Sequence, residues 1–386
     1  MALPITGTPP PGDASTVPKF YTITAELRET YDDNVNTSNV DPKSSLETQL
    51  SPSVLVDFHQ PNGEFSARYT FDITDYSVSP QAASTGGGSV EYTDEFVAQY
   101  MHSFSDRFNL NLAEQFRYFT EPSLFESTGT AYRSGPYIAN ILNGTGSAQW
   151  TPLFGTTTSY SNSIVRYEEA AEALQQNSIE NTGNQSFSFA IFPKISASVG
   201  GIADIIKYDQ ISRGYTSYTG FVGGQWQALP SLSVSGQGGA TYTETVESQS
   251  PGMFSPYAAV AASWSLGARS SLSFNYSHEI TPSDQAGSNG QSSDRFTSSF
   301  SYTILADLSA HLQGIFTDAD VSGNLLTSRG ASSYTEQQYG LDTGLTYHFD
   351  KYLDFDVGIS ISGVSSELQD LDYSRDEAYV GVRGTY

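Results

Sequence analysis

The stretch "LDFDVGISIS", Leu353–Ser362, alternates strictly between apolar and polar residues. Because successive side chains of a strand point to opposite faces, this period of two predicts a β-strand with one apolar face and one polar face. The same alternation runs through "YTITAELRETY" (21–31), "FSARYTFDI" (65–73) and many other segments of the chain. The sequence therefore predicts an all-β protein.

The connections between the predicted strands alternate as well. Short, turn-rich links such as 60–63 and 152–155 are followed by longer polar links such as 78–88 and 281–293. About eighteen strands (16–18) joined in this way predict a transmembrane antiparallel up-and-down β-barrel, with short periplasmic turns and longer extracellular loops. We expect a flexible tail at 1–17, which is rich in Pro, Gly and Thr, and a single barrel at 18–386. Residues 168–175 fit either a strand end or a short helix.

Aromatic residues separate a membrane barrel from a soluble β-sandwich, which would show the same alternation around a protein core. All three tryptophans lie just before short turns, and several phenylalanines flank others. Such rings collect at the membrane interface of outer-membrane barrels. The predicted girdle consists of Trp150, Trp226, Trp264, Phe58, Phe65, Phe108, Phe192 and Phe349. The apolar parity covers about four to six positions per strand, which suits a hydrocarbon band about 25 Å tall.

The chain ends inside a predicted strand, "AYVGVRGTY" (378–386). Val380, Val382 and the terminal Tyr386 share one face of it, and this arrangement looks like the signal that the barrel assembly machinery recognises. Gly384 departs from that pattern, because a larger apolar residue is usual there. Closure into a barrel would also remove the unpaired edges that an open sheet must protect.

The first predicted strand runs into "ETYDDNV", Glu29–Val35. A first strand followed by Tyr-Asp-Asp-Asn resembles the putative β-barrel porin-2 family of bacterial outer-membrane proteins. The resemblance implies an outer-membrane barrel from about Phe20 to Tyr386. Some members of that family are associated with polysaccharide export systems.

Composition and charge narrow the possible partners. The net charge of −25 argues against a nucleic-acid partner, because phosphate binding requires a basic patch. The chain has no cysteine and no run of eighteen apolar residues, so disulfides and a transmembrane helix are not expected. Its first residues lack the basic and apolar regions of a signal peptide, so an exported form would already have lost that segment.

The polar parity would line the lumen of such a barrel. Its charged members comprise eleven carboxylates and four arginines, and a negative lumen enriches cations through its field. The alternative is that these are solvated or mutually paired wall residues without a selective role. The predicted lumen residues are Glu26, Arg28, Glu47, Asp57, Arg68, Asp72, Glu91, Glu95, Arg117, Asp204, Glu279, Asp342, Asp354, Asp356 and Arg383.

Two Asp-rich segments partly match a calcium loop. "DADVSGN" (318–324) supplies Asp318 and Asp320, but Arg329 stands where the loop requires a bidentate glutamate. The segment 32–41 lacks the central glycine, and ordinary turn chemistry explains both. The five histidines are scattered and no nucleophile or phosphate-loop motif occurs, so we expect no metal, no cofactor and no enzyme activity.

The leading hypothesis is a monomeric outer-membrane porin for passive diffusion of small cationic or neutral solutes. Its surroundings would be the lipid bilayer, lipopolysaccharide and the barrel assembly machinery of a Gram-negative-type bacterium. The alternative is an export or scaffold barrel that works with an envelope polysaccharide-secretion system. An inward-folding loop is predicted at 120–146, because Tyr137, Ile138 and Ile141 require cover.

Overall fold

The computed structural model describes residues 20–80, 89–120, 135–169, 173, 176–209, 214–246, 252–282, 290–322, 333–368 and 371–386. Eighteen strands within them form one sheet, in which each strand pairs antiparallel with its neighbours in the chain. Strand β1 pairs with both β2 and β18, so the sheet closes on itself. The predicted up-and-down barrel of eighteen strands is confirmed.

The strands have the following bounds: β1 Tyr21–Asp32, β2 Ser45–Gln60, β3 Gly63–Tyr76, β4 Ser89–Ser105, β5 Phe108–Phe119, β6 Tyr137–Thr151, β7 Phe154–Tyr167, β8 Ser178–Phe192, β9 Ile195–Tyr208, β10 Gly214–Leu229, β11 Leu232–Thr245, β12 Met253–Ser265, β13 Ser270–Thr281, β14 Gly290–Leu305, β15 Leu308–Ser322, β16 Ser333–His348, β17 Leu353–Ser366 and β18 Tyr373–Thr385. Within the described residues, no helix is both long enough and apolar enough to span a membrane.

The two ends of the barrel differ in their connections. Links of two to four residues join β2 to β3, β4 to β5 and each later pair at one end, which we call the short-turn end. Links of five to seventeen residues join β1 to β2, β3 to β4 and each later pair at the other, which we call the long-loop end. The start of β1 and the end of β18 both lie at the short-turn end, as the alternation of links predicted.

Contacts between non-adjacent strands show which parity faces the lumen. Arg28 Nη2 of β1 lies 3.5 Å from Asp356 Oδ2 of β17, although β18 lies between them. Side chains two strands apart meet in this way on the concave side of a closed sheet. A β-carbon placed on Gly344 of β16 would likewise lie 2.8 Å from the Tyr379 hydroxyl of β18, with β17 between them. The polar parity therefore faces inward, and Val357 and Ile359 of "LDFDVGISIS" face outward with about half of their surface exposed.

Several strands continue further toward the long-loop end than the sequence predicted. Tyr137, Ile138 and Ile141 lie in β6, so the loop predicted at 120–146 is wrong from residue 137 onward. Residues 121–134 of that segment lie outside the described residues. Near this end many outward side chains become polar, so the alternation of hydrophobicity disappears while the backbone ladder continues.

The remaining predictions about chain organisation have mixed outcomes. Around Ala173, hydrogen bonds from Ala173 N to Glu169 O and from Asn177 N to Ala173 O form a helical turn, which favours the helix alternative there. Residues 170–172 and 174–175 lie outside the described residues. The predicted tail at 1–17 does too, so the division into tail and barrel stays a prediction.

The Tyr-Asp-Asp-Asn motif contacts β18 at the seam, which is the junction where the first strand pairs with the last and closes the barrel. Asp32 is fully buried, and its Oδ2 accepts hydrogen bonds from Arg375 Nη2 at 2.7 Å and Nε at 2.8 Å. Asp33 Oδ1 accepts a bond from Asp376 N, and Asn34 Nδ2 donates to Ser374 O. These carboxylates thus serve a structural contact with β18.

Candidate functional site

The inward wall of the barrel carries all fifteen charged residues that the alternation assigned to the lumen. From β1 to β18 these are Glu26, Arg28, Glu47, Asp57, Arg68, Asp72, Glu91, Glu95, Arg117, Asp204, Glu279, Asp342, Asp354, Asp356 and Arg383. Their positions on the wall are structural facts, whereas their role in ion selection is taken up below as a proposal.

Seven further charged residues occupy inward positions that the sequence prediction missed. They are Asp32, Glu64, Glu180, Arg295, Glu336, Arg375 and Glu377. A strict application of the alternation would have found Glu64 and Arg295, whereas most of the others lie in the strand extensions near the long-loop end. Over the described strands the inward positions carry sixteen carboxylates and six arginines.

The inward charges are unevenly distributed around the barrel. Strands β16–β18 and β1–β5 carry most of them, and we call their inward faces the acidic sector. Strands β6–β12 present mainly Ser, Thr, Asn, Gln, Gly and aromatic side chains inward, and their only charged inward residues in the described positions are Glu180 and Asp204. We call this the neutral sector. The field of the wall is therefore concentrated on one side of the lumen.

Arginines of the acidic sector contact carboxylates on their own strand and on nearby strands. Arg28 Nη2 lies 2.7 Å from Glu26 Oε1 and 3.5 Å from Asp356 Oδ2. Arg383 Nη2 lies 2.9 Å from Asp354 Oδ2. Because one arginine can neutralise only one unit of negative charge, the Arg28 cluster with its two carboxylates keeps a net negative charge, whereas Arg383 balances Asp354.

Histidines and neutral donors hold other carboxylates of this sector. His348 Nδ1 lies 2.7 Å from Asp354 Oδ1, and His311 Nε2 lies 2.9 Å from Asp342 Oδ1. Asp72 Oδ2 accepts a hydrogen bond from Thr93 Oγ1 at 3.3 Å. Such bonds orient the carboxylates along the wall without adding the fixed positive charge of an arginine.

The lumen changes character along its length. At the long-loop end, Thr317, Glu336 and Gln338 point inward and are fully buried. At the short-turn end, the side chains of His348 and Arg383 keep 48% and 41% of their surface exposed. The lumen is therefore filled near one end of β15 and β16 and open at the mouth beside β17 and β18.

The weak calcium-loop hypothesis for Asp318 and Asp320 is not supported. Both residues lie in β15 and point outward, and Asp320 Oδ1 accepts a bond from Thr335 Oγ1 of the adjacent strand. A calcium loop of this class wraps its ligands around the ion, which an extended strand does not do. The rest of the segment, from residue 323, lies outside the described residues.

One three-residue group could hold a divalent cation. Asp57, His59 and Glu64 face the lumen across the β2–β3 turn, and each offers one ligand atom within 4.8 Å of the others. His59 lies 3.4 Å from both carboxylates. The sequence prediction missed this group because the ligands come from two strands and only the register brings Glu64 opposite His59.

The predicted aromatic girdle lies at the short-turn end. Phe108 and Trp150 contact edge to face at 5.5 Å, and Phe58 and Phe65 stack at 6.3 Å. All eight predicted members are exposed, namely Trp150, Trp226, Trp264, Phe58, Phe65, Phe108, Phe192 and Phe349. Phe104 and Leu153 extend the same exposed ring. Tyr386 is also exposed, and its backbone bonds to Ile23 of β1.

Sequence comparison links the C-terminal third of the chain to a porin family. Residues 253–386 match the family described as "Putative beta-barrel porin 2". The predicted resemblance is confirmed over these residues, which comprise β12–β18. The Tyr-Asp-Asp-Asn motif lies outside the matched range. No curated protein matches the chain.

Structural comparison finds barrels of outer-membrane proteins. OccAB4 of Acinetobacter baumannii is 10% identical with a TM-score of 0.46, covering 95% of this chain and 98% of its own. OccK5 (OpdH) of Pseudomonas aeruginosa is 11% identical, with coverages of 95% and 97% and a TM-score of 0.46. OpdK of the same organism, crystallised with vanillate, is 9% identical, with coverages of 95% and 99% and a TM-score of 0.49. Likenesses of this degree say nothing of what this chain transports.

Proposed function

We propose that this porin-like barrel is an outer-membrane channel for passive diffusion of small solutes, with a preference for cations over anions. The inward excess of sixteen carboxylates over six arginines carries the proposal. A wall of one sign focuses its field in the low-dielectric surroundings of the lumen, so it concentrates counter-ions and repels co-ions. Small neutral solutes would pass along the neutral sector.

Placement in the outer membrane is part of the same proposal. The exposed apolar parity and the ring of aromatic residues fit a bilayer interface, and the match of residues 253–386 to a porin family supports it. The bilayer and lipopolysaccharide would then surround the outward wall. Val380, Val382 and Tyr386 share the outward face of the last strand and would form the signal for the barrel assembly machinery.

The pore would be asymmetric along its axis. Eighteen strands enclose room for an aqueous channel. The open mouth at the short-turn end would admit hydrated ions, and the buried inward side chains of β15 and β16 would narrow the path near the long-loop end.

Ion current through planar bilayers tests the proposal. We expect a steady ohmic current whose reversal potential in a KCl gradient favours K⁺. A steady current that favours Cl⁻ would contradict the cation preference.

The burial of inward residues also favours a second candidate, an export or scaffold barrel that works with an envelope polysaccharide-secretion system. Gln291, Ser293 and Thr317 are at most 1% exposed although they point into the lumen. A barrel filled across its whole section would pass no ions until a partner opened it. Absence of current from correctly folded, bilayer-inserted protein would favour this candidate over the channel.

A further inference from the structure

The outward wall is not uniform. Around the seam, most outward side chains of β17, β18, β1 and β2 are apolar, for example the exposed Val357, Val380, Leu27 and Val54; polar outward residues there, such as Glu29 and Asp376, lie near the long-loop end. The outward side of β5–β8 instead presents polar side chains on adjacent strands, and we call it the polar face. Its members are Glu114, Asn140, Thr156, Thr158, Tyr160, Asn162, Asn181 and Gln185.

The polar face reaches the depth of the hydrocarbon band. Glu114 lies seven residues after the β4–β5 turn, and Gln185 lies eight residues before the β8–β9 turn. A tilted strand needs about 9–11 residues to cross the band. Apolar Phe108 and Leu112 precede Glu114 on the outward side of β5, and Phe187 and Phe189 separate Gln185 from its turn. The polar side chains are thus flanked by apolar residues toward the short-turn end.

Hydrogen bonds link the polar side chains across strands. Glu114 Oε1 accepts a bond from Asn140 Nδ2 at 3.0 Å. Tyr160 OH donates to Asn181 Oδ1 at 2.7 Å, and Asn162 Nδ2 donates to the same oxygen at 3.0 Å. These bonds reduce the cost of placing the groups in lipid. An ionised carboxylate accepts about four hydrogen bonds, so Glu114 retains capacity for donors from another molecule.

Glycines on the same face leave open space between the projecting polar side chains. Gly144, Gly146 and Gly183 occupy outward positions between the polar residues, where they present no side chain. A β-carbon placed on Gly146 or on Gly183 would meet no atom within 4 Å, so the space above both is open. Within membranes, small residues allow close approach of two proteins, and polar side chains then form hydrogen bonds across the contact.

From this combination we infer that the polar face binds a second copy of this chain in a two-fold symmetric dimer. Lipid tails offer no hydrogen-bonding partner, and the carboxylate of Glu114 would repel lipid phosphates. Asn and Gln side chains both donate and accept hydrogen bonds, so a face that carries Asn140, Asn162, Asn181 and Gln185 is complementary to itself. A two-fold interface requires such self-complementarity. The inference replaces the hypothesis of a monomer.

Matched glycine variants test the interface. Gly146→Trp and Gly183→Trp would place a bulky ring into the contact, whereas Gly220→Trp on the outward side of β10 serves as control, because a β-carbon there also meets nothing within 4 Å. In a mild detergent, native mass spectrometry should show a dimer for the wild type and Gly220→Trp. The two face variants should raise the dissociation constant of the dimer at least about tenfold, which corresponds to about 1.4 kcal/mol. A monomeric wild type, or equal dimer fractions in all variants, would overturn the inference.

Disulfide formation locates the contact in native membranes. The chain has no cysteine, so Tyr160→Cys and the control Val357→Cys each introduce one thiol, and both positions are exposed on the outward wall. Oxidation should cross-link the Tyr160→Cys variant into a species of twice the chain mass, whereas the Val357→Cys variant should remain at the mass of one chain. No cross-link, equal cross-linking of both, or a conjugate with a different protein would contradict the two-fold dimer. The inference rests on the proposed membrane placement and not on ion preference. Extraction from cell membranes checks that placement separately, because a protein that stays soluble without detergent would contradict the membrane placement itself.

Discussion

At the long-loop end, Asp32 of β1 is fully buried and binds Arg375 of β18 at 2.7 Å. At the short-turn end, Asp354 of β17 binds Arg383 of the same β18 at 2.9 Å, but 41% of the arginine side chain is exposed. The two ion pairs have the same chemistry and lie on the same inward wall. Only their depth and surroundings differ.

This difference separates structural charges from functional ones. A buried carboxylate whose partner is removed remains as an uncompensated charge in a low-dielectric site, which is strongly destabilising. An exposed pair contributes little to stability because water and salt screen it, yet its charges remain available to passing ions. We therefore expect stability to depend on the long-loop end and ion preference to depend on the rest of the acidic sector.

The largest effect is expected from breaking the buried pair. Asp32→Ala removes the buried carboxylate and leaves Arg375 with Glu377 at 3.2 Å, so it should lower the free energy of unfolding by about 3 kcal/mol, the lower end of the cost of breaking a buried pair. The measurement is urea unfolding of the folded barrel in lipid vesicles, followed by tryptophan fluorescence. Asp354→Ala is the matched control and should cost at most about 1 kcal/mol. Equal losses in the two variants would mean that depth does not separate the pairs.

A second effect concerns the filled part of the lumen. Tyr215 points inward from β10, is 1% exposed and approaches Gly290 of β14. Tyr215→Ala should therefore widen the path and raise single-channel conductance in planar bilayers. The control is Tyr218→Ala, because Tyr218 lies on the same strand, points outward and is 54% exposed. If conductance is unchanged in both variants, the narrow region lies elsewhere.

The smallest effect on stability is expected at the open mouth. Arg383→Gln removes one positive charge beside Asp354 and should change the free energy of unfolding by less than about 1 kcal/mol. It should nevertheless raise the permeability of K⁺ relative to Cl⁻, because the mouth becomes more negative. Reversal potentials before and after the substitution measure this change. A shift toward Cl⁻ would contradict an electrostatic role for the mouth.

The sequence predicted the barrel well because the signal behind it is local. Alternation along "LDFDVGISIS" correctly places Asp354 and Asp356 inward and Phe355 and Val357 outward, and the spacing of turns yields eighteen strands. The positions of the strand ends were harder to predict from the sequence. Tyr137 and Ile138 were assigned to a loop, because the ladder continues in a region where outward positions no longer need to be apolar.

Features that depend on register could not be predicted in the same way. The cluster of Asp57, His59 and Glu64 exists because β2 and β3 pair with His59 opposite Glu64. The bond from Arg375 to Asp32 joins positions more than three hundred residues apart, and closure of the barrel creates it. Alternation fixes the side that a residue faces, whereas depth and partners follow from pairing across strands.

The reversal potential of a matched pair of variants tests the central claim most directly. Asp72 and Asp75 lie three residues apart on β3, the first facing the lumen and the second facing outward. In a KCl gradient across a planar bilayer, the wild-type channel should favour K⁺, Asp72→Asn should reduce that preference and Asp75→Asn should leave it unchanged. A channel that favours Cl⁻, or equal shifts in the two variants, would contradict an acidic inward wall that selects cations.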